Sequence, residues 1–162
     1  MAKIYQFKKV SNMSIPITTV YDVAKAFLNM ESMTPKKLQK LCYYAYGWYL
    51  ALEKKPLFEN NFEAWIHGPV DPGLYTEYKE YGWNEIEQEK KLPVDISNNP
   101  DVMEFLEEVY ASYGHLDGNQ LEYLTHRELP WKEARKGLKS YEASKNPISD
   151  DTIMEFFTKE LP

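Results

Sequence analysis

One stretch of the chain is apolar on every side of a helix, and this constrains the architecture more than any other feature. From Thr34 the sequence runs TPKKLQKLCYYAYGWYLALE. Thr34 suits a helix N-cap, and Pro35 suits the first helical position, where a missing N–H costs nothing. Leu38, Leu41, Cys42, Ala45, Trp48, Tyr49 and Leu52 recur at helical spacing on one face. The opposite side carries Tyr43, Gly47, Leu50 and Ala51 and no charge. A helix without a wet face belongs inside a bundle. It is too short to be a membrane span: the charge-free run from Cys42 to Leu52 is 11 residues, against the roughly 20 that a bilayer requires.

Other helices are expected to pack around this centre. Thr19 and Asp22 open one over about Val20 to Met30, with Val23, Ala24, Phe27 and Leu28 facing inward. Asp71-Pro72 starts another, with Leu74, Tyr75 and Tyr78 on its core side and Gly82 at its end. Asn99-Pro100 begins a longer one that stops at Gly114; Asp117 with Gln120 caps the next. Pro130-Trp131 begins a helical turn, and Ser149 caps a last helix containing Ile153, Phe156 and Phe157. Phe62 to Ile66 reads as a short strand, Gly68-Pro69 as a turn and residues 83–98 as an exposed charged loop. The expected fold is therefore mainly α: a compact bundle of six to seven helices around a buried helix at about 35–54, with a small hairpin insertion near 57–67. Residues 1–18 read as an extended arm with apolar anchors at Ile4, Tyr5, Phe7, Ile15 and Ile17, and residues 19–162 as a single helical domain.

Composition narrows the function. The net charge of −6 repels phosphate backbones, so nucleic acid is disfavoured as a partner. The single cysteine, Cys42, falls within the apolar stripe and asks for no oxidising compartment. No signal-peptide-like stretch opens the chain, and the expected location is the cytoplasm. His67, His115 and His126 lack metal-ligand spacing, and no phosphate loop or nucleophile signature is present. No catalytic residue, metal or cofactor is expected, and the chain reads as a non-enzyme. Lys36, Lys37 and Lys40 read first as a solvated basic face and second as an anion site at a helix start. His67 reads as a turn histidine beside a pocket. The one excess is aromatic: 13 Tyr, 7 Phe and 4 Trp. Tyrosine fits a core only where its hydroxyl finds a partner, so some should line a surface groove, and such residues favour protein interfaces.

The run Thr34-Pro35-Lys36-Lys37-Leu38-Gln39-Lys40-Leu41-Cys42-Tyr43-Tyr44-Ala45-Tyr46-Gly47-Trp48 resembles the signature helix of the Panacea domain, the family of SocA-like antitoxins and phage-associated GepA-like proteins. Pro56-Leu57-Phe58, then Phe62-Glu63-Ala64-Trp65-Ile66-His67-Gly68-Pro69-Val70, then Pro72 and Leu74-Tyr75, are similar to its second block, and Leu121, Leu124-Thr125-His126 and Pro130-Trp131 to its last. Cys42 stands where the family commonly carries a larger apolar residue. The resemblance implies a helical antitoxin that neutralises a toxin, encoded by an adjacent gene, through direct complex formation. It also implies an alternative, an adaptor that delivers its toxin to a cytoplasmic protease or a phage-encoded modulator of a host protein. The motif and pocket residues it singles out are Lys37, Gln39, Lys40, Tyr43, Tyr44, Trp48, Trp65, His67, Gly68, Pro69, Val70 and Tyr75.

Overall fold

The computed structural model describes residues 15–162. The arm's anchors at Ile4, Tyr5 and Phe7 lie outside that range. Within it, Ile17 packs against the core, and the Thr18 amide donates to the Leu57 carbonyl at 3.2 Å.

Eight helices and one hairpin are present among the described residues: α1 (Val20–Met30), α2 (Pro35–Glu53), β1 (Glu63–Trp65), β2 (Gly68–Val70), α3 (Pro72–Tyr78), α4 (Val94–Ser97), α5 (Pro100–Tyr113), α6 (Gly118–His126), α7 (Leu129–Ala134) and α8 (Asp150–Lys159). The helix starts are where side-chain caps can form. The Thr19, Thr34, Asp71 and Ser149 side chains accept from the Asp22, Lys37, Leu74 and Thr152 amides. Asp117 and Gln120 form a complete capping box, at 2.8 and 2.9 Å. At Thr19 only the forward bond is made.

α2 is the hub. α8 packs most extensively along it, and α1, α5, α6 and β2 also lie against it. Residues 38 to 47 are buried without a break, which gives the all-round apolar reading its physical content. Tyr43, Tyr44 and Tyr46 are no more than 1% exposed, so the tyrosine excess goes into the core to a larger extent than the sequence suggests. Two of them reach later helix starts. Tyr44 donates to Glu128, the cap residue of α7, at 2.8 Å, and Tyr46 donates to Asp150, the first residue of α8, at 2.7 Å. Burial pushes both hydroxyls up, and the neighbouring carboxylates add to it. Tyr44 also stacks on Tyr113 at 4.1 Å.

Four expectations need correction. The hairpin spans 63–70, not 57–67: Gly68-Pro69 is strand, paired Trp65↔Gly68 and Ala64↔Pro69, and the turn is Ile66-His67. Pro69 lacks an N–H, yet a two-stranded hairpin tolerates it on its open side. Leu52, expected on the buried stripe, is 50% exposed, whereas Leu50 and Ala51, expected on the opposite side, are buried, so the last turn of α2 packs by its other face. Tyr75, expected on the core side of α3, is 45% exposed; Leu74 alone of that helix is buried. Residues 83–98 are not simply a loop, since Ile86 pairs with Met33 and α4 buries Ile96. This brings the helices among the described residues to eight, against the expected six to seven.

Candidate functional site

The first turns of α2, the hairpin, and α3 with its following turn enclose a groove of about 380 Å³. Its walls are Pro35, Leu38, Trp65, Val70, Leu74, Tyr75, Tyr78 and Trp83, and its polar groups are Lys36, Gln39, Lys40, His67 and Lys79. Trp65 and Tyr75 meet edge to face at 5.1 Å. Trp83 stands 83% exposed on the rim, with the Lys36 ammonium 5.8 Å from its ring.

Gln39 sets the floor. Its side-chain amide donates to the Asp71 carbonyl at 2.9 Å and accepts from the Asp71 amide at 3.0 Å, as a neighbouring strand would. The start of α3 is thereby fixed to α2. Asp71 in turn caps α3, and burial raises its carboxyl above the ordinary value, although the Leu74 and Gly73 amides oppose that.

Lys40 departs furthest from its sequence reading. It is 1% exposed and not part of a solvated face. Its Nζ donates to the Pro69 carbonyl at 3.3 Å. Burial pulls its pKa down to about 7, with Glu122 working the other way and Lys36 adding to the fall. Gly68 makes the room: a Cβ there would lie 2.7 Å from Lys40 Cε and 2.9 Å from Thr125 Oγ1, and its φ of 112° is a conformation side chains rarely adopt.

Glu122, on α6, gathers the nearby cations. Lys36 pairs with it at 2.5 Å and also reaches Asn119 at 2.8 Å; His67 Nδ1 lies 3.3 Å from the carboxylate. Burial alone would push this carboxyl up, but Lys36 and His67 outweigh it and hold it below its ordinary value. His126 stacks on Trp131 at 3.9 Å, and its pKa is lowered, chiefly by burial.

The structure thus brings Gln39, Lys40, Trp65, His67, Val70 and Tyr75 together at the groove, with Gly68 and Pro69 packed behind Lys40. The other family-motif residues do not line it. Lys37 holds the Gly114 carbonyl at 2.6 Å and Glu31 at 3.3 Å, tying α2 to the end of α5. Tyr43 and Tyr44 lie in the core, and Trp48 donates to the Tyr113 hydroxyl at 2.8 Å. Sequence reasoning missed Trp83, Lys79 and Glu122. A lone Trp just past Gly82, inside a charged loop, was the one available signal for Trp83; nothing local marks Glu122. No group of three or more His, Cys, Asp or Glu side chains among the described residues could hold a metal ion. No helix among them is long and apolar enough to cross a membrane.

Residues 38–132, more than half of the chain, match the family described as antitoxin SocA-like, Panacea domain. Antitoxin SocA of Caulobacter vibrioides (strain NA1000 / CB15N) is 30% identical over 110 residues, which is 62% of this chain and 58% of that protein's length. The chain therefore matches less than two thirds of that relative. No solved structure matches.

Proposed function

This chain belongs to the SocA-like antitoxins of the Panacea-domain family, and on that premise we propose that it neutralises a cognate toxin by direct, non-catalytic complex formation through the groove face. The toxin is encoded by an adjacent gene, and the complex forms in the cytoplasm. The observation that supports this reading most is the rim. Trp83 and Tyr75 are large aromatics left exposed on a rigid frame, 83% and 45%, beside a mostly apolar groove. Exposed aromatic anchors over a preformed pocket are what protein interfaces are built around.

The test is co-expression with the product of the neighbouring reading frame. Wild type is expected to rescue growth and to co-purify with that product. Trp83→Ala with Tyr75→Ala should weaken the complex by roughly tenfold or more, the usual cost of losing interface anchors, while thermal stability stays near wild type. Rescue without any complex would overturn the reading. A toxin half-life that shortens only when this chain is present would move the assignment to the protease-adaptor alternative.

A further inference from the structure

The groove ends on a buried lysine that lacks a counter-ion of its own. Lys40 is 1% exposed, and its only hydrogen bond among the described residues is the 3.3 Å contact to Pro69. A lysine ammonium carries three donors, so most of its capacity is unused. The carboxylate that acts on it, Glu122, is engaged by Lys36 at 2.5 Å and His67 at 3.3 Å. Buried charge left uncompensated is costly, and an incoming anion that pairs with it relieves the cost. The side chain also has its space reserved: a Cβ on Gly68 would lie 2.7 Å from its Cε. Two further lysines, Lys36 and Lys79, line the same groove, whose walls are mostly apolar, on a chain of net charge −6.

We propose that the groove binds the C-terminal carboxylate of a partner polypeptide ending in an apolar or aromatic residue, with Lys40 as its counter-ion. The last side chain lies against the contacting Trp65 and Tyr75 rings, and the preceding residue meets Trp83 at the rim. A chain terminus fits better than an internal Asp or Glu. An internal residue would bring main chain in on both sides, and a space of about 380 Å³ with apolar walls offers those N–H and C=O groups few partners. A terminus brings in one strand, with its charge at the tip. This inference rests on the toxin-binding reading, since it names the part of the toxin that enters.

The probe is the peptide N-acetyl-Leu-Phe as free acid, compared with its C-terminal amide, on the full chain by NMR. The acid is expected to shift the Lys40 Cε and the Trp65 and Trp83 indole signals and to bind roughly tenfold or more tighter than the amide, the advantage of a charge-assisted hydrogen bond. Lys40→Met should remove that preference. Equal binding of acid and amide to wild type overturns the inference, and this comparison needs no variant to fold. Retention of the preference in Lys40→Met, with the fold intact by circular dichroism, overturns it too. The toxin supplies a second arm. If toxin binds but neither competes with the acid nor loses affinity on removal of its last residue, complex formation stands and this inference falls. If the acid binds as described and toxin never displaces it, the carboxylate site stands and the groove-face reading of toxin binding falls.

Discussion

Gly47 sits where α2 and α8 approach most closely, and the Phe157 ring occupies the place a Cβ would take. The ring cannot swing away freely, because Tyr43, Tyr44 and Trp48 pack around it at 5.1–6.0 Å. Gly47→Ala is therefore expected to cost about 1–3 kcal/mol by overpacking, read as a lower urea midpoint at unchanged slope. An unchanged midpoint would mean that α8 shifts without cost. Lys40 makes the opposite prediction. Its burial lowers its own pKa despite Glu122, so desolvation outweighs attraction. Lys40→Met, similar in length, should then stabilise the free protein by about 1–3 kcal/mol at pH 6, measured by the same denaturation; a loss of stability would show that Glu122 compensates the charge after all.

Among the elements, α7 shows how the hairpin is held. Trp131 Nε1 donates to the Trp65 carbonyl at 2.7 Å, and Arg135 donates to Ala64 at 3.0 Å, Lys139 at 3.1 Å and Glu142 at 2.6 Å. Arg135 is 5% exposed, so its removal leaves the buried Ala64 carbonyl without this donor, along with the part-buried carbonyls of Lys139 and Glu142. Arg135→Ala is expected to cost about 3 kcal/mol and to raise amide exchange in β1 and β2 more than in α5; uniform exchange would argue against a local role. The same contrast decides what the sequence can disclose. Helix starts at Thr34, Asp71, Asp117 and Ser149 are legible because a cap is satisfied within three residues. Gly68-Pro69 misleads because that pair is as common in turns as it is rare in strands, and only pairing with Trp65 and Ala64 decides. The candidate site was legible in part for a related reason. Trp65, His67 and Tyr75 stand out by type, whereas the burial of Lys40 depends on space left by Gly68, elsewhere in the chain.

At the scale of the whole molecule, two buried groups give stability a shape in pH. Burial raises the Glu128 carboxyl to about 7 from 4.5, with Glu160 adding to the rise and Tyr44 opposing it. A raised carboxyl contributes stability that is complete below 4.5 and lost as pH climbs through 7. Lys40, lowered to about 7 from 10.5, penalises the fold fully below 7 and progressively less from 7 to 10.5. Together they place a minimum near neutrality; His126, also lowered, works against the acid-side slope. Taking differences between variants cancels such background. Glu128→Gln should flatten the decline between pH 4.5 and 7, to which the raised Asp71 carboxyl also contributes, and Lys40→Met the recovery above 7; parallel profiles would contradict the assignment. The groove's lining residues are close together along the chain. Every one of them lies between Pro35 and Trp83, while α6 and α7 support the hairpin from behind. A single short piece of coding sequence thus specifies the entire groove, so on the proposed mode of binding its exchange between relatives should transfer partner choice without redesigning the scaffold, which chimaeras scored by growth rescue would reveal.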